Sequence, residues 1–107
     1  MKYIITESRV NDMVKLFLDK YYDFWVWDKG DGEFSVSNGY EGDTIMSYTV
    51  DYNTDEGILH ISPKLIEQLS DMFVGAVNFK ELMRVLSEWF NETYKTDAVH
   101  YEVMMED

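Results

Sequence analysis

The stretch DYNTDEGILHIS, from Asp51 to Ser62, has the residue types of a calcium-binding loop. Calcium prefers oxygen ligands, and an EF-hand loop places them at its first, third and fifth positions, where this stretch has Asp51, Asn53 and Asp55. Two requirements fail, because the turn glycine, Gly57, stands one position too late and the last position is Ser62 instead of a bidentate glutamate. The stretch is therefore predicted to be a β-hairpin turn, with a weak cation site formed by the loop carboxylates as the alternative.

The hairpin interpretation accounts for every residue around the turn. Asn53, Thr54 and Asp55 favour turns, and Gly57 is expected to supply the left-handed residue that closes a short loop with a bulge. The spacing then predicts two cross-strand pairs: Tyr52 with Leu59, and Val50 with Ile61.

The same register sets Asp51 opposite His60 on the outer face of the hairpin. A carboxylate beside an imidazole favours its charged form, so the pair could transfer a proton, although a surface ion pair is the commoner use. No nucleophile or oxyanion motif accompanies it, and His100 is expected to face solvent. Phosphate-loop, dinucleotide, HExxH and GxSxG motifs are absent from the sequence. We therefore predict no enzyme activity, catalytic residue, metal or cofactor.

Charge is the feature of the composition that departs most from the average. The 107 residues include 21 Asp and Glu against nine Lys and Arg, a net charge of −12, which disfavours direct binding to nucleic acid or to anionic lipid. The stretch from Gly30 to Pro63 has seven acids and no Lys or Arg. Solubility alone is one explanation. The other is a surface for a basic protein, and its predicted partner-binding residues are Asp31, Glu33, Glu41, Asp43, Asp51, Asp55 and Glu56.

Hydrophobic periodicity predicts three helices. After a short extended start at Lys2–Ile5, apolar residues at three- and four-residue spacing indicate a helix over about 7–22. Ser62 and Pro63 are typical of a second helix start, and Asn78 with Glu81 indicates a capping box for a third, after a break at VGAVN. The helical residues predicted in the core include Met72, Met83 and Trp89.

Alternating patterns predict strands between and after the helices. In DFWVWDKGDGEFSV, placing Asp28 opposite Glu33 pairs Trp27 with Phe34 and points both Trp25 and Trp27 at the core. A binding platform for flat ligands, built on the two tryptophans, is the alternative. The predicted fold is one α+β domain over 1–107: an N-terminal helix, a four-stranded antiparallel meander over about Phe24–Ile61, two helices packed on one sheet face, and a short C-terminal strand near Val99–Met105.

The sequence has no cysteine, no signal-peptide core and no apolar run long enough to span a membrane. We expect a soluble, unsecreted protein without disulfides. The opening MKYIITESR resembles the start of many small, uncharacterised proteins of tailed bacteriophages, in which an M-K-x-I-I-T-E-S opening leads into a helix. The resemblance implies a phage origin, the host cytoplasm as location, and either engagement of host machinery or a place in the virion.

Composition and resemblance together lead to two functional hypotheses. The first is a non-enzymatic acidic binding protein, a phage-encoded modulator or inhibitor that engages a basic, nucleic-acid-binding host protein. The alternative is a minor structural subunit that self-associates through sheet edges and through outer-face apolar residues, expected to be Phe24, Val26 and Ile45.

Overall fold

The computed structural model describes residues 7–73 and 78–104, and these residues form three helices and five strands. The predicted α+β element order is confirmed. The predictions for Lys2–Ile5, for the break at 74–77 and for Met105 lie outside the described residues. The bounds of the elements, in chain order, are α1 Glu7–Tyr21, β1 Phe24–Gly30, β2 Glu33–Asn38, β3 Thr44–Asp51, β4 Glu56–Ile61, α2 Pro63–Met72, α3 Phe79–Tyr94 and β5 Ala98–Val103.

The strands form one sheet in the order β1-β2-β3-β4-β5. The first four strands make the predicted antiparallel meander, and β5 lies parallel to β4. A parallel neighbour requires a crossover, and α2 and α3 provide it by carrying the chain back to the end of the sheet where β4 begins. The three helices cover one face of this sheet, and no helix of the described residues covers the other face, here called the outer face.

The core lies between the helices and the sheet. Phe90 of α3 stacks on Phe34 of β2, with ring centroids 5.4 Å apart, and on Tyr48 of β3 at 6.1 Å. Val14 and Leu18 of α1 are completely buried in the same cluster. Packing of this kind supplies most of the stabilisation of amphipathic helices, because burial removes their apolar stripe from water.

Both predicted helix starts are confirmed. The Ser62 hydroxyl accepts a hydrogen bond from the Lys64 backbone N–H at 3.3 Å, and Pro63 occupies the first helical turn of α2. The Asn78 side chain accepts from the Glu81 backbone N–H at 2.8 Å and begins α3. These caps satisfy N–H groups that a helix leaves without partners at its start.

The first hairpin contains a bulge that the sequence pattern did not reveal. Asp31 and Gly32 form a two-residue turn with φ angles of 55° and 79°, as a type I′ hairpin turn requires. Gly30 pairs with Glu33 beside the turn, but the register shifts next and leaves Lys29 as an extra residue. Such a bulge turns the remainder of the strand over.

The bulge reverses the two faces of β1. Trp25 and Trp27 pair with Ser37 and Ser35 on the outer face, and their exposed fractions are 44% and 41%. The prediction that both tryptophans point at the core is wrong, because a shift of one residue exchanges every side chain between faces.

The apolar residues expected on the outer face, Phe24, Val26 and Ile45, lie on the helix side instead. Val26 pairs with the buried Val36, and Phe24 packs against Trp89 with ring centroids 5.0 Å apart. Ile45 is the extra residue of a second bulge, between β2 and β3, and is buried in the core. That expectation is wrong for the same reason, a bulge that changes the register.

The second hairpin forms where it was predicted but closes earlier. Asp51 pairs with Glu56, and the four residues Tyr52–Asp55 make the turn. The left-handed residue is Asp55, with φ of 58°, so the expected role of Gly57 is wrong. Aspartate tolerates this conformation better than most residues that carry a side chain.

Gly57 is a strand residue, and its lack of a side chain serves close packing. A Cβ atom at this position would lie 2.7 Å from Cε2 of the Tyr48 ring, which covers the glycine. The predicted pairs of Tyr52 with Leu59 and of Val50 with Ile61 are wrong, since Leu59 pairs with Tyr48. The observed register differs from the predicted one by an even number of residues, so Leu59 still faces the core as expected.

Of the three helical residues predicted in the core, Met83 and Trp89 are buried. Met72 is 50% exposed, so that prediction is wrong. Met72 lies in the last turn of α2, where it lines a shallow surface cavity of about 360 Å³ together with Met13 and Leu16 of α1.

Candidate partner-binding surface

The structure divides the seven carboxylates predicted to bind a partner between the two ends of the sheet. The turns of the first and second hairpins lie at the same end, because alternate turns of an antiparallel meander do so. Glu41 and Asp43 belong to the loop between β2 and β3, at the opposite end. The five carboxylates at the end with both hairpin turns are Asp31, Glu33, Asp51, Asp55 and Glu56.

The parallel strand β5 adds a sixth carboxylate to that end. Its first residue, Ala98, pairs with Gly57 near the start of β4, so the exposed Asp97 stands beside the second hairpin turn. The nearest bases along the chain are Lys29, two residues before Asp31, and Lys95, at the C-cap of α3. We call this surface the acidic end and define it by Asp31, Glu33, Asp51, Asp55, Glu56 and Asp97.

Three carboxylates of the acidic end make contacts within the fold. Glu33 accepts hydrogen bonds from the Tyr52 hydroxyl at 2.6 Å and from the Val50 backbone N–H at 3.3 Å. The bond to Glu33 raises the pKa of Tyr52, since a phenolate would face the carboxylate. Asp51 accepts from the Asn53 N–H at 2.9 Å within the turn. The third, Glu56, contacts the His100 ring at 2.6 Å.

The other three carboxylates of the acidic end have no hydrogen bond or ion pair to any residue that the structure describes. Asp31 and Asp55 occupy the left-handed positions of the two hairpin turns, and Asp97 precedes β5. All three are exposed. These are the carboxylates that a partner can reach without breaking a contact within the protein.

The calcium-loop alternative does not fit the observed turn. The Asp51 side chain binds the N–H of its own turn, and Glu56 faces β5. Across the described residues, no three metal-ligating side chains converge. The hairpin interpretation of DYNTDEGILHIS is confirmed.

We therefore expect millimolar calcium to leave the melting temperature unchanged, because only a ligand that binds the folded state stabilises it by mass action. Thermal unfolding with and without calcium measures this, with magnesium as a control for ionic strength. A saturable rise that disappears in Asp51→Ala but persists in Asp71→Ala would contradict the hairpin-only interpretation.

His60 pairs with Ser47 and not with Asp51, so the predicted cross-strand pair is wrong. Its Nε2 lies 3.0 Å from Thr49 Oγ1, and its Nδ1 lies 2.9 Å from Glu102 Oε1 on the neighbouring β5. The order hydroxyl, imidazole, carboxylate is that of a nucleophile, a base and an orienting acid. This arrangement lies on the outer face of the sheet and reaches its last strand, β5.

Three aromatic side chains form a cluster on the outer face. Trp25 meets Tyr40 edge-on with ring centroids 5.0 Å apart, and Trp27 lies 5.3 Å from Tyr40. Trp27 Nε1 donates a hydrogen bond to Ser37 Oγ at 3.1 Å, which holds the indole across the sheet. Small serines on β2 leave room for this, and the cluster remains substantially exposed. We call Trp25, Trp27 and Tyr40 the aromatic cluster.

No periodic pattern in the sequence indicates the aromatic cluster, because its members come from different elements. Tyr40 lies in the loop between β2 and β3, while the tryptophans face outward only through the Lys29 bulge. Gly30 directly before an Asp-Gly turn is the signal that could have indicated the bulge, since glycine commonly occupies the left-handed position of one.

Glu41 and Asp43 lie in the loop that also carries Tyr40, at the end of the sheet opposite the acidic end. Asp43 lies 3.8 Å from the Lys64 ammonium across a surface cavity of about 250 Å³. The Tyr22 hydroxyl, also on this cavity, donates to Gln68 at 2.6 Å. Burial raises the pKa of Tyr22. The cavity offers amide, hydroxyl and charged groups for a polar contact.

No known protein family, curated protein or solved structure matches this chain. Within residues 7–73 and 78–104, no helix is long and apolar enough to cross a membrane.

Proposed function

We propose that this protein is a non-enzymatic binding protein whose acidic surface engages a basic, nucleic-acid-binding protein. The observation that carries the proposal is the acidic end, where two stretches without Lys or Arg, 30–63 and 96–104, meet because β5 lies beside β4. Charge gathered at one end of the sheet creates a directed field, which steers a basic partner toward that end.

The three exposed carboxylates support the proposal further. The carboxylates of Asp31, Asp55 and Asp97 make no hydrogen bond or ion pair to a described residue, and exposed charges contribute little to stability. A groove built to bind phosphates carries Arg and Lys side chains, and carboxylates are complementary to them.

Self-association is the alternative that the sequence left open. Each copy of the chain has a net charge of −12, so electrostatic repulsion opposes the association of two copies at low salt. The phage origin implied by the opening residues accords with a modulator or inhibitor that acts on a protein of the host cell.

Competition with DNA tests the function. We expect the immobilised protein to retain basic proteins, with isoelectric points above about 9, from a nuclease-treated bacterial lysate. Added duplex DNA should release them, because it would occupy the same basic groove. Salt at about 0.5 M, roughly a several-fold increase over physiological ionic strength, should release them too. Retention of the same proteins by a carrier of equal charge, or no release by DNA, would contradict the proposal.

A further inference from the structure

The free edge of the sheet at β1 is open in the part of the chain that the structure describes. β1 is the first strand of the sheet and pairs there with β2 on one side. Trp25 through Gly30 are all exposed. An edge strand presents a row of backbone N–H and C=O groups that another extended chain can pair with.

The usual protection of such an edge covers only its last part. The bulge at Lys29 and the charge of Asp28 twist and blunt the end of β1 near the first hairpin turn. The preceding residues, Phe24 to Trp27, have neither a charge nor a proline. The unprotected part of the edge therefore lies beside the aromatic cluster.

The aromatic cluster is suited to flat cations. The faces of indole and phenol rings carry negative charge density, and a guanidinium stacks on them. Trp25, Trp27 and Tyr40 are 44%, 41% and 60% exposed, so ring surface is available, and the bond from Trp27 to Ser37 orders it in advance. Surface that is already ordered loses less entropy when it binds.

The spacing of the two indoles matches an extended chain. Alternate residues of a strand point to the same face about 6.8 Å apart. The ring centroids of Trp25 and Trp27 are 6.1 Å apart. A strand added to β1 would thus bring two alternate side chains over the two indoles in turn.

Charge selects the occupant. Carboxylates stand at both ends of the unprotected edge, with Asp23 before β1 and Glu41 directly after Tyr40 on one side, and Asp28 on the other. All three are exposed. A cationic chain is attracted to this edge, whereas a second copy of a chain with net charge −12 is repelled.

We propose that the edge of β1 and the aromatic cluster bind an extended, arginine-bearing segment of a basic protein, which adds as a sixth strand and stacks alternate arginines on Trp25 and Trp27. The inference rests on the proposed function, for which it names the recognised segment.

The test uses a defined peptide, acetyl-Arg-Val-Arg-Val-Arg-amide with a fluorescent label, and anisotropy titration against the full chain. We expect Trp25→Ala and Tyr40→Ala each to weaken binding about two- to five-fold, the range for a cation–π contact at an exposed site. Phe79→Ala, which removes an exposed aromatic at the start of α3, should leave the affinity unchanged. Melting curves establish that each variant is folded.

Two modified peptides separate the parts of the proposal. Replacing arginine by citrulline keeps the shape and removes the charge, and methylating the backbone nitrogens removes the donors for strand pairing. Both changes should weaken binding. Equal affinity of either modified peptide, or of Trp25→Ala and Phe79→Ala, would overturn the proposal, as would a dimer of the free protein at micromolar concentration that Trp25→Ala dissociates.

The failure of this inference is distinguishable from failure of the proposed function. A variant with Asp31→Asn, Asp55→Asn and Asp97→Asn lacks exposed charge of the acidic end and keeps the aromatic cluster. Suppose that this triple variant binds the captured basic proteins more weakly, while Trp25→Ala changes the binding of neither these proteins nor the peptide. The proposed function is then supported and the strand site is contradicted. If DNA competition fails but the peptide still requires arginine and Trp25, the strand site stands without that function.

Discussion

Replacing Trp89 by alanine is expected to lower the free energy of unfolding by about 3–5 kcal/mol, the range for deleting a large buried aromatic. Trp89 is only 2% exposed. Its ring packs against Phe24 with centroids 5.0 Å apart and meets Tyr94 edge-on at 5.9 Å. Its indole N–H donates to Asp19 at 3.0 Å. The residue therefore ties α1, α3 and β1 together.

The loss would be a large share of the stability of a domain this small, since folded proteins are stable by only about 5–15 kcal/mol. Urea unfolding of the parent and of the variant measures it. Trp25→Ala is the matched control, because it deletes the same side chain from the exposed outer face, and its cost should be clearly smaller. Equal losses for the two variants would contradict the assignment of Trp89 to the core and of Trp25 to the surface.

Local sequence signals predicted the elements of this fold well. Ser62-Pro63 and Asn78 with Glu81 are local devices that satisfy backbone N–H groups within three residues, so their effect does not depend on the rest of the chain. The alternation that predicted β3 and β4 is local too. These signals determine where an element begins and which of its residues share a face.

Register is not local in the same way, and there the prediction failed. Whether Trp25 faces the core depends on one extra residue, Lys29, which forms a bulge. The free-energy cost of that bulge is offset by contacts elsewhere in the sheet, which a local pattern does not show. Likewise, Gly57 suggested a left-handed turn residue, but the Tyr48 ring requires the glycine in a strand and Asp55 takes the turn position. Glycine and aspartate can each serve as a left-handed turn residue or as a strand residue, so the sequence alone does not show which residue takes which position.

The candidate site was predicted in its residue types and missed in its arrangement. The acid-only stretch 30–63 is visible in the sequence, yet the structure sends Glu41 and Asp43 to the opposite end from the other five carboxylates. Asp97 joins those five only because β5 is parallel to β4. An alternating pattern predicts a strand but does not say which neighbour it pairs with, or in which direction.

The acidic end leads to the second large expected effect. Removing three exposed carboxylates, with Asp31→Asn, Asp55→Asn and Asp97→Asn, should slow association with a captured basic partner about tenfold or more at low salt, because steering accelerates association by factors of about 10–1,000. Glu33, Asp51 and Glu56 stay unchanged, since their carboxylates make contacts within the fold. The stability of the variant should match that of the parent within about 0.5 kcal/mol.

A control of equal charge is available on the helices. Asp12 of α1 and Glu67 and Asp71 of α2 are exposed, and neutralising these three changes the net charge by the same amount as the acidic-end variant. If total charge alone governed association, both variants would slow it equally. If the acidic end faces the partner, the helix variant should retain nearly the parent rate.

The most direct measurement is the association rate of the parent, the acidic-end variant and the helix variant with one captured basic protein, by stopped flow at about 0.05 M and 0.2 M salt, concentrations between which electrostatic binding changes strongly. We predict a steep fall with salt for the parent and the helix variant, and a slow, nearly salt-independent rate for the acidic-end variant. Identical rates and identical salt dependence for all three proteins would contradict the claim that the acidic end is the surface that meets the partner.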